Sequence, residues 1–180
     1  MTDTVATDST VVAHVALARR AEAGKALRQR MPRRALGDWS PSPGRDPIGI
    51  LTDQEERRLQ DLVPLRRERM AASPFAFFRG AAAVFSADLA SCPRSDLRVQ
   101  LCGDAHLANF GGFASPERSL VFDLNDFDET LPGPFEWDVK RLAASFEVAA
   151  RANGFDEPVR QAIQRTLART YGSAMKTFAG

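Results

Sequence analysis

The chain has little that would place it in a membrane, on nucleic acid or in an oxidising compartment. Its 180 residues include two cysteines, which are too few for a disulfide framework and fit a reducing compartment. The net charge of +1 implies no general attraction to nucleic acid. No apolar run is long enough to span a bilayer, and the short apolar run at residues 11–18 lacks the positive residues that open a signal peptide. We therefore expect a cytoplasmic protein with no membrane or nucleic-acid partner.

The composition, with 44% hydrophobic and 26% charged residues, is that of an ordinary globular protein with its own core. Its charge is unevenly distributed. Residues 19–34 hold seven arginines and lysines and one acid, whereas residues 117–140 hold seven acids and two basic residues. The basic stretch lacks interleaved aromatics and is interpreted as a solvated helix face. The acidic stretch is expected in solvent or around a cation, because clustered carboxylates repel one another.

The first part of the chain is predicted to be a leader followed by a linker. Residues 1–9 are expected to be frayed, residues 10–31 form an alanine-rich helix, and residues 33–49 have the Pro- and Gly-rich composition of a linker. The predicted domains are therefore residues 1–45, the helical leader and linker, and residues 46–180, the main domain.

The main domain is predicted to be mainly helical. A capping box at Thr52 predicts a helix that runs to Leu62, and a second helical piece follows Pro64. The further expected elements are a buried helix at residues 75–90, a strand at 97–101, a hairpin from 110 to 122, an interruption at 132–134, and helices at 135–152 and 157–178. The fold class is therefore α+β, mainly helical, with a small β-hairpin.

Two polar segments in the middle of the chain carry the clearest chemical signal. The first is Gly103-Asp104-Ala105-His106-Leu107-Ala108-Asn109, and the second is Phe122-Asp123-Leu124-Asn125-Asp126-Phe127-Asp128-Glu129. An Asp and an Asn five residues apart, then an Asp-Phe-Asp after a short hairpin, is typical of the metal and phosphate site of kinase-type phosphotransferases.

Each of these residues has a predicted role. Asp104 would orient the attacking hydroxyl, although a lone Asp after a strand could also be a turn carboxylate that caps nearby amides. Asn109 and Asp126 would hold magnesium, because amide and carboxylate oxygens are hard ligands. Asp128 would be an outer or second-metal ligand on the bound nucleotide.

Two further residues accompany the segments. His106 has two open interpretations: it orients Asp104 or binds phosphate, or it is a loop histidine bonded to backbone carbonyls. Asp138 falls at the start of a helix, on the edge of its apolar face, where a carboxylate is costly unless hydrogen-bonded. We expect Asp138 to support the 103–109 loop through backbone N–H groups.

The remaining candidates have less specific predictions. Arg79 could offer its guanidinium to a phosphate of the bound cofactor, or serve as the partner of an internal acid. Lys140 and Arg141 are expected on a solvated face or paired with the acidic loops. Cys102 has no neighbouring His–acid pair suited to a nucleophile and is interpreted as a small buried hydrophobe.

The loop at residues 103–109 resembles the Brenner-type catalytic loop of aminoglycoside and choline or homoserine phosphotransferases. Asp126-Phe127-Asp128, followed by Trp137-Asp138-Val139, resembles their metal aspartate and the aspartate of the next helix. The resemblance implies a partial protein-kinase-like catalytic lobe that uses Mg²⁺ and ATP. It also implies that Asp104 is the catalytic base, that Asn109 and Asp126 bind magnesium, and that Asp138 is structural. Cys102 departs from the histidine that those enzymes usually carry there.

A closer resemblance is to a bacterial family, the domain of unknown function 2252. Its hallmarks stand at residues 69–80, 101–111 and 122–141, within a similarity that spans roughly 46–151. Members of the family look longer, with a glycine-rich and lysine-bearing segment after this part. Because no Gly-rich loop precedes the catalytic loop, a nucleotide lobe is expected downstream of Gly180, and the chain alone is expected to be inactive.

Three functions are consistent with these residues. The first is a magnesium-dependent phosphotransferase whose acceptor, a small molecule or a protein, is not identified. The second is a metal-dependent phosphoesterase, because Asp104-Ala105-His106 matches an Asp-x-His metal pair; such enzymes need more histidines, and only His14 remains. The third is a non-catalytic module of the same fold that binds a nucleotide or a partner.

Overall fold

The structure is a computed structural model that describes residues 17–95 and 97–179, and it is mainly helical with two small antiparallel sheets. The α+β class predicted from the sequence is confirmed. The predicted leader at 1–9, the start of the first helix and His14 lie outside the described residues, and the proposed division into two domains stays a prediction. The first described helix, α1, spans Leu17–Arg30, and the basic residues of the 19–34 stretch are exposed.

Helix α2 spans Pro47–Glu56, so the predicted start at Thr52 is wrong. The true N-cap is Asp46, whose carboxylate accepts a hydrogen bond from the Gly49 N–H at 2.9 Å. Pro47 occupies the first turn, where its missing N–H and fixed φ are suited to a helix start. Thr52 lies inside the helix, and its hydroxyl donates back to the Ile48 carbonyl at 3.0 Å.

Three short helices follow: α3 spans Val63–Ala71, α4 spans Pro74–Gly80 and α5 spans Ala82–Ala90. The single buried helix predicted at 75–90 is therefore wrong, because the chain breaks at Ala81. Two arginine side chains donate hydrogen bonds to backbone carbonyls at the end of α4. Arg66 donates to the Gly80 carbonyl at 2.5 Å, and Arg141 donates to the Phe78 carbonyl at 2.7 Å. These contacts accompany the break, and the Phe78 carbonyl also accepts from the Ala81 N–H at 3.3 Å, a one-turn bond that closes α4.

Each of the two sheets contains two strands. Strands β2 (Phe110–Ala114) and β3 (Leu120–Leu124) form the predicted hairpin. Strand β1 (Arg98–Leu101), also predicted, pairs with β4 (Leu131–Pro134), which the sequence analysis had interpreted as an interruption. The interruption was wrongly predicted because of Pro132 and Pro134, which lack a backbone N–H. In a two-stranded sheet both strands are edge strands, and an edge strand tolerates proline because one side of it makes no ladder hydrogen bonds.

The last two helices are α6 (Glu136–Ala152) and α7 (Glu157–Ala179), close to their predicted bounds. They pack together, and the rings of Phe135 and Tyr171 stack with centroids 6.5 Å apart. An apolar cluster of Met70, Ala81 and Val84 connects α3 and α5, and residues of α2 pack against it. None of the helices in the described part of the chain has the length and apolar character needed to cross a bilayer.

Candidate functional site

Strand β1 leads directly into the loop at residues 102–109, whose second residue is a glycine with a left-handed backbone conformation. Gly103 has φ +84°, a conformation that L side chains rarely adopt. A Cβ at this position would lie 1.8 Å from the carbonyl oxygen of Glu129, so the acidic segment packs directly on the loop backbone. Only glycine allows this turn and this close approach together. The geometry places Asp104 immediately after the turn.

Helix α6 holds this loop with three polar side chains spaced i, i+3 and i+7: Asp138, Arg141 and Ser145. Asp138 accepts hydrogen bonds from the backbone N–H groups of Cys102 and Gly103, at 2.8 and 3.1 Å. Farther along, the Ser145 hydroxyl accepts from the Leu107 N–H at 2.9 Å. Residues with this spacing share one face of a helix, so α6 supports the loop at successive points.

Arg141 holds the Asp104 side chain itself. Its Nε and Nη2 lie 2.8 and 2.7 Å from one carboxylate oxygen of Asp104, although the residue is only 2% exposed. Its guanidinium lies 4.0 Å from the ring centroid of Phe78 and 5.1 Å from that of Phe85. Burial lowers the pKa of Arg141. Of the two expectations for this arginine, the solvated face is wrong and pairing with an acid is found, because Asp104 and the aromatic contacts stabilise its buried charge.

His106 lies on the other side of the same carboxylate. Its Nε2 is 3.5 Å from the second carboxylate oxygen of Asp104, and its backbone N–H donates to the Asp104 carbonyl at 2.7 Å. Burial lowers the pKa of His106, and the charges of Arg141 and Arg79 lower it further, whereas Asp104 raises it. The imidazole is therefore neutral near pH 7. Within the described residues its Nδ1 is buried and has no hydrogen-bond partner.

Asn109 joins the loop to the acidic segment. Its side-chain nitrogen donates to the backbone carbonyls of Asp104 and Asp126, both at 3.1 Å. The backbone carbonyl of Asn109 accepts a hydrogen bond from the Asn125 N–H at 2.9 Å. Asn109 is buried, whereas Asp126 and Asp128 are exposed. One carboxylate oxygen of Asp126 accepts from the Asp128 N–H at 3.0 Å.

A cavity of about 810 Å³ opens in front of these residues. Asp104, His106 and Asp126 line it together with Arg79, so four of the predicted site residues face one space. Asp128 does not line the cavity. The positions of Asn109 and Asp138 are behind it, where they hold the backbone.

The thiol of Cys102 is buried at the start of the loop. Burial raises its pKa to about 12, and the nearby carboxylate of Asp138 contributes to the shift. The thiol is therefore protonated at neutral pH and is a poor nucleophile. This agrees with its interpretation as a small buried hydrophobe.

Several residues that shape the site are not among those predicted from the sequence. Ser145 had no assigned role, and the burial of Arg141 was not predicted. A periodic signal was present, because the polar residues at 138, 141 and 145 recur at helical spacing. The cavity also has four arginines that the sequence did not single out: Arg57, Arg58, Arg66 and Arg69. They come from two segments, the residues just after α2 and helix α3, which only the tertiary structure brings to the cavity.

Few side chains near Asp104 are of the types that bind a divalent cation. In the part of the chain that the structure describes, no three His, Cys, Asp or Glu side chains are grouped to hold a metal ion. The roles of Asn109 and Asp126 as magnesium ligands stay predictions.

Comparison with known proteins identifies the family of this chain. A family model described as "Uncharacterized protein conserved in bacteria (DUF2252)" matches residues 58–180, a stretch that contains the loop, the acidic segment and α6. No curated protein and no solved structure matches the chain. The chain belongs to the bacterial family DUF2252.

Proposed function

We propose that the chain carries the catalytic segment of a magnesium-dependent phosphotransferase with a kinase-like lobe. ATP would be the phosphoryl donor, a small molecule or a protein the acceptor, and the cytoplasm the location. A nucleotide-binding lobe beyond Gly180 is part of the same proposal.

The observation that carries the proposal is the position of the Asn109 side chain. Its amide bonds to the backbone of both Asp104 and Asp126, although Asp126 is 17 residues farther along the chain. The side chain of one proposed metal ligand thus connects the backbones of the proposed base and of the other proposed ligand, and Asp104 and Asp126 both line the cavity.

The donors present fit a magnesium ion. Mg²⁺ prefers one or two protein oxygens and completes its octahedron with phosphate oxygens and water. The described hydrogen bonds use the amide nitrogen of Asn109 but not its oxygen, and Asp126 offers an exposed carboxylate. When bound, magnesium would neutralise charge on the transferred phosphoryl group.

The chain's own groups would prepare the acceptor. Arg141 fixes one oxygen of Asp104, which leaves the other oxygen beside His106 to orient a hydroxyl. The neutral His106 adds no positive charge next to that oxygen. Arg79, exposed at the cavity, is placed to contact a phosphate.

The proposal is tested by titrating pyrophosphate into the chain with and without Mg²⁺ in a calorimeter. Pyrophosphate presents the phosphates of a nucleotide without needing an adenine pocket. We expect Mg²⁺ to strengthen binding, and Asp126→Ala to reduce that enhancement by about tenfold or more, the scale of losses when metal-site residues are changed.

The matched control is Asp123→Ala, which removes an exposed carboxylate from the same acidic segment outside the cavity. An equal Mg²⁺ enhancement in the Asp126 and Asp123 variants would contradict the proposal. Such a result would mean that the acidic segment attracts cations only through its general charge.

A non-catalytic binding module is the second candidate, and one observation favours it. The Asp104 carboxylate partners the buried Arg141, a structural role that needs no turnover. Asp104→Asn in the complete protein separates the two: a binding module would keep its cellular role, and an enzyme would lose it. The phosphoesterase alternative stays a prediction.

A further inference from the structure

One wall of the cavity is formed by five arginines from the end of α2, from α3 and from α4. This arginine wall consists of Arg57, Arg58, Arg66, Arg69 and Arg79. The acids that line the same cavity are Asp104 and Asp126, and the charge of Asp104 is already balanced by Arg141. The cavity therefore has an excess of positive charge.

The described part of the chain offers these arginines few partners. None of the five forms an ion pair with a carboxylate there. Glu55, the acid nearest to Arg66 on α2, is held by Arg67, with Nε 2.9 Å from one carboxylate oxygen. Of the five guanidinium groups, that of Arg66 alone has a described hydrogen bond, to the Gly80 carbonyl, which fixes its position.

The arginines are close enough to influence one another. Burial lowers the pKa of Arg66, and the neighbouring charge of Arg58 lowers it further, whereas the carboxylates of Glu55 and Glu129 raise it. Arg79 has a similar effect on His106 across the cavity. Like charges gathered in a concave site raise its electrostatic potential and attract an anion.

We propose that the arginine wall binds a phosphoryl group of a small molecule, independently of any metal. Guanidinium groups bind phosphate through paired N–H donors, which makes arginine the usual residue for this purpose. The site goes beyond the proposed function, because it requires neither Mg²⁺ nor turnover. The phosphoryl group belongs either to a nucleotide or to an acceptor that is already phosphorylated, and both would lie next to Asp104.

The test is a metal-free titration of pyrophosphate into the 180-residue chain at low ionic strength, with EDTA present. We expect saturable binding that the triple variant Arg58→Gln/Arg69→Gln/Arg79→Gln weakens by at least about tenfold, because each lost charge-assisted hydrogen bond contributes to affinity. The three residues are exposed, so the variant is expected to fold. Circular dichroism checks that it does.

The matched control is Arg169→Gln, which removes an equally exposed helical arginine from α7, outside the cavity. It should leave pyrophosphate binding unchanged. Asp126→Ala, which removes an acid from the same cavity, should not weaken metal-free binding, so failure of this inference and failure of the proposed function give different results. Equal binding by the triple variant and the control, or no saturable binding at all, would overturn the inference.

Two further arms distinguish the sources of the phosphoryl group. ADP and glucose 6-phosphate are titrated under the same conditions, with glucose as the neutral comparison. Preference for ADP assigns the wall to the nucleotide, and preference for the sugar phosphate assigns it to the acceptor. Each result supports a phosphoryl site, whereas equal binding of glucose and glucose 6-phosphate argues against one.

Discussion

The two sides of the cavity use their polar groups in opposite ways. On the α6 side, the loop at 102–109 is held by Asp138, Arg141 and Ser145. On the side formed by the arginine wall, the exposed arginines have no carboxylate partner within the described residues. The same residue type, arginine, is structural on one side and available on the other.

The difference shows how to separate residues that build a site from residues that use it. A buried guanidinium must be paired, so its partner is fixed by folding. An exposed arginine in a cavity costs little to desolvate and remains free to bind an anion. Substitutions on the two sides should therefore affect different properties: stability on the α6 side and ligand affinity at the wall.

The largest effect is expected from Arg141→Ala. Removing one partner of a buried ion pair leaves an uncompensated charge on Asp104 and should lower the free energy of unfolding by about 3–5 kcal/mol. Urea denaturation measures this loss. Arg69→Gln, on the wall, should change stability by no more than about 0.5 kcal/mol. Comparable losses in the two variants would remove the contrast between the two sides.

A smaller loss is expected from Gly103→Ala, because the new Cβ would clash with the Glu129 carbonyl. We expect about 2–4 kcal/mol, the sum of left-handed strain and overpacking. Gly154→Ala is a close control, since Gly154 also has positive φ, +74°, but nothing lies within 4 Å of its Cβ position. That variant should lose only the strain, about 1–2 kcal/mol. Thermal or urea unfolding compares them, and equal losses would disprove a tight contact at Gly103.

The smallest effect is a pH dependence from His106. Its pKa is lowered in the folded state, so the unfolded chain binds more protons as the pH falls below the ordinary value of about 6.5. Stability contributed by the neutral imidazole is therefore present above pH 6.5 and lost as the pH falls towards the folded pKa. Unfolding measured from pH 7.5 to 5 should show this decline, and His106→Gln should make it shallower. An unchanged slope would mean that His106 is not buried as described.

Local sequence patterns predicted the elements that deliver the site. The alternation at 97–101 identified β1, the glycines and turn residues at 111–117 identified the hairpin, and Asn153-Gly154 marked the end of α6. These features are determined by residues close together in the sequence, so a local sequence pattern is enough to predict them. The roles of Asp104, Asn109 and Asp126 remain predictions of the same kind.

The contacts that organise the site could not be predicted in this way. Arg141 reaches Asp104 across 37 residues and Phe78 across 63, so its burial depends on the assembled fold. The same residue contacts the end of α4, where the predicted helix at 75–90 divides into α4 and α5. The arginine wall likewise forms only when α2, α3 and α4 pack around one cavity.

The most direct test of the central claim is to locate a bound divalent cation by NMR. Mn²⁺ added with pyrophosphate broadens the signals of nearby amides, and we expect the loss to centre on residues 103–111 and 125–129 in the wild type. Asp126→Ala should abolish the broadening, and Asp123→Ala should preserve it. Broadening centred elsewhere, or unchanged by Asp126→Ala, would contradict a metal site shared by Asn109 and Asp126 beside Asp104.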